Sequence, residues 1–167
     1  ALETAHGAKG RVEPVPTDGD YSIFIDYAVT PDAIENVLTT LRGIAPKRLV
    51  MLFGAGGDRD RKKRPIMGKL SADIADFVIV TSDNPRTEDP MSIIEEILPG
   101  VRAGKAPYKV ICDRPEAIRW AIDHHEPGDV ILLCGKGHED YQIIGHEKIH
   151  MDEREIVADY LAERAKR

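Results

Sequence analysis

Apolar residues recur along the chain in short continuous runs that alternate with stretches where they fall three and four positions apart. The runs are Tyr21-Ser22-Ile23-Phe24-Ile25, Leu49-Val50-Met51-Leu52-Phe53, Phe77-Val78-Ile79-Val80, Tyr108-Lys109-Val110-Ile111-Cys112 and Asp129-Val130-Ile131-Leu132-Leu133-Cys134. Short apolar runs bounded by turn residues read as strands. Between them, Ile34, Val37, Leu38 and Leu41 lie at i, i+3, i+4 and i+7, and Ile66, Met67, Leu70 and Ile74 are expected inward on a second helix opened by Pro65. Helical spacing returns in residues 91–98, at Ile118, Ala121 and Ile122, and at Ile156, Val157, Tyr160 and Leu161. This alternation predicts an α/β fold: a Rossmann-like, open, mostly parallel sheet of about six strands with an antiparallel edge and helices on both faces. The antiparallel edge is expected from residues 141–150, which have a hairpin look around Gly145-His146-Glu147.

The element ends are marked as well. Thr30-Pro31 and Asp89-Pro90 set a capping side chain before a proline at the first helical position, and Asp113 with Pro115 starts another helix. Gly43, Pro99-Gly100 and Pro127-Gly128 are expected to end helices, and Asp152 with Glu155 forms a capping-box-like start to the last one. Residues 1–20 carry Gly, Ala and Pro with little periodicity and read as a linker or the remnant of a preceding domain. Residues 21–167 read as one domain.

Charge and cysteine usage narrow the classes. A net charge of −6 argues against general affinity for nucleic acid or an anionic membrane. The apolar runs are strand-length, so no membrane span is expected. Cys112 and Cys134 sit inside apolar runs and read as reduced, buried thiols of a cytoplasmic protein rather than a disulfide or a metal site. His124 and His125 are sequence neighbours, so on a helix they point about 100° apart and suit the surface better than one shared metal.

Candidate chemistry lies in the polar loops that follow the strands, which in an open parallel sheet converge on one edge. In Thr81–Pro90, Asp83 can accept from an ammonium and Arg86 can grip a carboxylate with two parallel hydrogen bonds. The same residues also suit a turn with no ligand. Gly54-Ala55-Gly56-Gly57 and the charges after it, Arg59 among them, fit neither the phosphate loop nor the dinucleotide fingerprint. In Gly135–Gln142, His138 reads as an acid-base or hydrogen-bonding group, and Glu139 as an ammonium acceptor or a solvated charge. Asp26 ends its strand where a ribose hydroxyl or a cation is held in such folds, or where an aspartate caps a turn. Arg11 is either a solvated charge or part of a neighbouring site.

Several blocks, taken in order, resemble the Mur ligases of peptidoglycan synthesis: Gly-Arg-Val-Glu at 10–13, Asp-Tyr-Ala-Val-Thr-Pro-Asp at 26–32, Phe-Gly-Ala-Gly-Gly-Asp-Arg-Asp at 53–60, Arg64-Pro65-Ile66-Met67-Gly68, Asp-Asn-Pro-Arg at 83–86 and Gly-Lys-Gly-His-Glu-Asp-Tyr-Gln at 135–142. The resemblance is strongest to the branch that adds meso-diaminopimelate to UDP-N-acetylmuramoyl-L-alanyl-D-glutamate. It implies a C-terminal domain that closes over ATP and presents the incoming amino acid, whose amine attacks an acyl phosphate made on the glutamate carboxylate in the central domain. It further implies that Asp83, Asn84, Pro85 and Arg86 select meso-diaminopimelate, that Arg59, Gly135 and Glu139 complete that pocket, and that Arg11 and Asp26 lie on the ATP side. No catalytic or metal-binding residue is expected in this chain. It lacks the phosphate loop, so ATP and Mg²⁺ are expected to be bound mainly by the central domain, and the chain alone is expected not to ligate. Val29 stands where the resemblance leads one to expect a histidine. Rival readings are a lysine-adding relative, a non-catalytic nucleotide-binding module and a protein-interaction domain.

Overall fold

A computed structural model describes residues 8–167. The strands are β1 (Glu13–Val15), β2 (Tyr21–Asp26), β3 (Leu49–Phe53), β4 (Phe77–Val80), β5 (Tyr108–Val110), β6 (Asp129–Cys134), β7 (Tyr141–Ile144) and β8 (Glu147–His150). The helices are α1 (Pro31–Arg42), α2 (Lys63–Ile74), α3 (Pro90–Ala103), α4 (Arg114–Asp123) and α5 (Glu153–Ala165). The main sheet has the order β1-β2-β6-β3-β4-β5, parallel throughout except for β1, which runs antiparallel to β2.

Side chains alternate across each strand, which sorts the core into two layers. Leu49, Met51 and Phe53 of β3 face α1, α2 and α3, while Val50 and Leu52 face α4 and α5. The central β6 is buried along its whole length, as a strand covered on both faces must be. The chain winds outward through β3, α2, β4, α3 and β5 on one face, then returns through α4 on the other to place β6 between β2 and β3. Such a reversal opens a crevice at the carboxyl ends of the strands around it.

Three expectations are corrected. The antiparallel edge is β1, drawn from the stretch read as a linker, whereas residues 141–150 form a separate two-stranded hairpin that joins no strand of the main sheet. Pro99 does not end its helix: α3 runs on to Ala103 because Gly100 and Val101 are buried against α2 and outweigh the backbone bond that proline cannot donate. In α2 the buried face is Arg64, Met67, Gly68, Ser71 and Ala72, and Ile66 is exposed. Small residues turn inward there because α2 and α3 approach unusually closely. A Cβ built on Gly100 would lie 1.8 Å from the carbonyl oxygen of Pro65. Gly100→Ala is therefore expected to cost about 3 kcal/mol through overpacking. Urea denaturation would read this as a lower midpoint at unchanged slope, and an unchanged midpoint would mean the helices part freely.

The helix starts agree with the sequence. Thr30, Asp89 and Asp113 each accept a hydrogen bond from the backbone N–H three residues on. Asp152 caps α5 through the N–H of Arg154, but Glu155 binds His150 instead of closing a capping box.

Candidate functional site

The loops leaving β2, β3, β4 and β6 surround one cavity of about 210 Å³. Six residues singled out from the sequence line it together: Arg59, Asp83, Asn84, Arg86, Gly135 and Glu139. Tyr27 and Val29, from the loop after β2, form the facing wall. Pro85 is buried in the loop but absent from the wall, and its carbonyl accepts from Glu88 N.

The Asp83–Arg86 loop is held from two sides. Asn84 O accepts from Gly57 N at 2.8 Å, and Thr87 Oγ1 donates to Asp58 at 2.7 Å, which joins it to the glycine-rich loop after β3. On the other side, Arg86 N donates to Ile143 O and Arg86 O accepts from Gly145 N at 2.7 Å. Gln142 Nε2 donates to Ser82 Oγ and to the carbonyl of Asp83. The β7–β8 hairpin thus clasps this loop, and its grip stabilises Arg86 in the left-handed region, at φ +52°.

Charges on the wall are unevenly paired. The Arg86 guanidinium donates only to Gly57 O, at 2.9 Å, and forms no ion pair among the described residues. Asp83 is 6% exposed, yet no donor among those residues hydrogen-bonds its carboxylate, and Lys136 Nζ stands 3.9 Å away. Glu139 Oε2 accepts from Lys136 Nζ at 2.6 Å and from Asn84 Nδ2 at 3.2 Å. Gly135, at φ +113°, leaves room for Asp83, since a Cβ there would lie 2.7 Å from Asp83 Oδ2. Arg59 is exposed and donates to the carbonyl of its neighbour Asp58. Burial, with Glu139 and Asp83 nearby, raises the Tyr27 phenol above its ordinary range. The cavity therefore offers a cation with free donors opposite carboxylates with free lone pairs, an arrangement complementary to a zwitterion.

The N-terminal candidates lie elsewhere. Asp26 accepts from Val12 N at 2.9 Å and from Ala28 N at 2.8 Å, so it ties the lead-in to the exit of β2. Arg11 is exposed, and neither residue is on the cavity wall. Next to them, Arg154 binds Glu13 and holds its carboxyl below the usual range. His138 is exposed, its ring 5.0 Å from that of Tyr27. Cys134 is buried and Cys112 half-buried, and both are free thiols.

Sequence reasoning missed the charges under the site. Arg64 is buried on the cavity wall, where it donates to Gly56 O and pairs with Glu88 and Glu96. Arg114 donates to Ser82 O, Cys134 O and Glu153, and so straps the ends of β4 and β6 together. Lys136 is fully buried between Asn84 and Glu139. Arg64 and Lys136 lie within the blocks that carry the family resemblance, but lysine and arginine usually read as solvated charges, and their burial depends on which strand ends meet.

Residues 10–137 match the family described as Mur ligase, glutamate ligase domain. The UDP-N-acetylmuramoyl-L-alanyl-D-glutamate--2,6-diaminopimelate ligase of Caldanaerobacter subterraneus subsp. tengcongensis is 54% identical over 158 residues, covering 95% of this chain and 33% of that protein. The ligase of the same name from Trichormus variabilis is 54% identical over 168 residues, covering 99% of this chain and 34% of its own length. A solved structure with that ligase name superimposes with a TM-score of 0.87 at 40% identity, covering 96% of this chain and 33% of the other. The chain thus spans about a third of the length of the curated relatives it matches. With the fold, the order of the motif loops and the family match in agreement, the chain belongs to the Mur ligases, as a C-terminal domain of that family.

Proposed function

We propose that this chain is the amino-acid-presenting domain of an ATP-dependent ligase that adds meso-diaminopimelate to UDP-N-acetylmuramoyl-L-alanyl-D-glutamate in the cytoplasm. One observation carries the reading: an Arg86 guanidinium without an ion-pair partner among the described residues shares a cavity of about 210 Å³ with the open carboxylate of Asp83. That volume is below the range of drug-sized pockets and suits one small, charged metabolite. The distal end of meso-diaminopimelate carries both an ammonium and a carboxylate. Arg86 receives the carboxylate, while Asp83 and Glu139 receive the ammonium. Asn84, Gly135 and Arg59 complete the pocket, and Pro85 shapes the loop from below. With that head clamped, the amino group at the other end of the carbon chain is left to react.

ATP, when bound, supplies the phosphoryl group that activates the acceptor carboxylate. This chain's own fit to a nucleotide is partial: Arg11 has an exposed guanidinium, whereas both oxygens of Asp26 already accept backbone N–H groups. Phosphates and Mg²⁺ are accordingly assigned to the rest of the ligase, as is the UDP-linked dipeptide, and the chain alone is expected not to ligate.

Calorimetric titration of this chain tests the reading. It should bind meso-diaminopimelate and discriminate against L-lysine by about 10³-fold or more, because lysine, posed with its α-amino group left to react, presents an ammonium without a carboxylate and would leave Arg86 unpaired. Equal affinities would point to a lysine-adding enzyme. Binding of ATP with neither amino acid would favour a nucleotide module.

A further inference from the structure

We infer that Lys136 is the positioning residue that sets the specificity of the proposed amino-acid pocket; this rests on the substrate reading given above. Lys136 does not line the cavity, and a buried ammonium is costly unless its surroundings compensate it. Its compensation comes from site residues: Asn84 Oδ1 at 2.7 Å, Glu139 Oε2 at 2.6 Å and Asp83 Oδ1 at 3.9 Å. The Tyr141 ring, with its centroid 5.3 Å away, closes the remaining side.

Two consequences follow from that geometry. Asn84 Oδ1 accepts from both Lys136 Nζ and Ile143 N, which fixes the orientation of the amide. Its Nδ2 is then turned to Glu139, with one N–H left for a ligand. The second consequence is electrostatic. Asp83 and Glu139 carry two negative charges, and Lys136 cancels one of them, so the acidic side of the pocket calls for a single further cation. Arg86 opposite calls for a single anion. The pocket is thereby matched to a head group of zero net charge. Without Lys136 the acidic side would be doubly negative, and a bare ammonium would gain relative to a zwitterion.

Titrating the wild-type chain, Lys136→Met and Lys136→Gln with meso-diaminopimelate and with L-lysine tests this. Glutamine keeps a donor without the charge, and methionine keeps only the bulk. Lys136→Met is expected to weaken meso-diaminopimelate binding by tenfold or more and to cut its preference over lysine by at least tenfold. Lys136→Gln is expected to recover part of the affinity while the preference stays eroded. A structural role alone would lower the melting temperature but leave the preference of the folded fraction intact. A folded variant with wild-type affinity and preference therefore overturns the inference while the substrate reading stands. A wild-type chain that binds no meso-diaminopimelate overturns the substrate reading, and the assignment of Lys136 to specificity falls with it. The positioning role has its own readout, because the Asn84 side-chain amide protons should exchange slowly in the wild-type NMR spectrum and faster in Lys136→Met. Identical exchange in the two proteins overturns that role whatever the ligand does.

Discussion

Arg86→Ala is expected to weaken meso-diaminopimelate binding by about 10³-fold while leaving the weak binding of L-lysine nearly unchanged. The asymmetry is the informative part. Arg86 spends one donor on Gly57 O and forms no ion pair among the described residues, so its remaining donors are available to a ligand carboxylate. Lysine posed with its α-amino group free to react brings no carboxylate to the pocket, so in that pose the loss of Arg86 removes nothing that it used. In the complete ligase, the Michaelis constant for meso-diaminopimelate should rise far more than that for ATP. A shorter side chain also relaxes the need for φ +52° at this position only slightly, since the hairpin still holds the backbone N–H and carbonyl. Arg86→Lys separates charge from geometry: a point charge without the planar fork should recover only part of the affinity. Equal losses for both amino acids, or for ATP, would show that the guanidinium supports the loop and touches no substrate.

The sequence made the order of elements legible because buried parallel strands are continuous apolar runs, as β3, β4 and most of β6 are, and because β2 still alternates Tyr21, Ile23 and Ile25 into the core. The meeting of the polar loops was legible for a related reason, since in this topology the loops after such strands have only one edge on which to converge, whereas a place in the cavity for Arg59, Asn84 and Gly135 is implied by the family resemblance alone. What it hid was decided by partners distant in sequence. Three residues, Glu13–Val15, are too few to show a period, and they become a strand only by pairing with Ile23–Ile25. Pro99 looked like a stop because its local effect is unfavourable, yet Gly100 lets α3 dock so closely on α2 that packing carries the helix past it. Hairpin 141–150 showed its own pairing clearly but not its target, which is the backbone of Arg86 rather than the sheet edge. Lys136 is the sharpest case. The family resemblance places its neighbours Gly135 and Glu139 in the pocket, while its own burial depends on Asn84, brought from the end of another strand.

The largest effect on stability is expected beneath the pocket, where Arg114 and Glu153 are both fully buried and 2.6 Å apart. Arg114 reaches across to Ser82 O at 3.1 Å and Cys134 O at 2.8 Å, so one guanidinium fixes the ends of the two strands that carry the Asp83 and Gly135 loops. Removing one member of a buried ion pair leaves the other charge in a medium that cannot solvate it. Arg114→Met is therefore expected to cost about 3–5 kcal/mol, enough to lower the melting temperature by roughly 10 °C in a chain of this size. Glu153→Leu should cost a similar amount for the converse reason. Removing both is the decisive comparison. Attraction between the charges and the cost of burying them nearly offset one another, so the double variant should be more stable than either single one. The loss it retains should reflect the carbonyls of Ser82 and Cys134, which no longer receive a donor from Arg114. Its affinity for meso-diaminopimelate should stay depressed even where its melting temperature recovers, because the strand ends under the pocket are no longer tied. Denaturant midpoints for the four proteins of the cycle, with titrations on each, check both halves. Additive stability losses would show that the pair interacts too weakly to organise the site, and wild-type affinity in the double variant would show that the pocket keeps its shape without the strap.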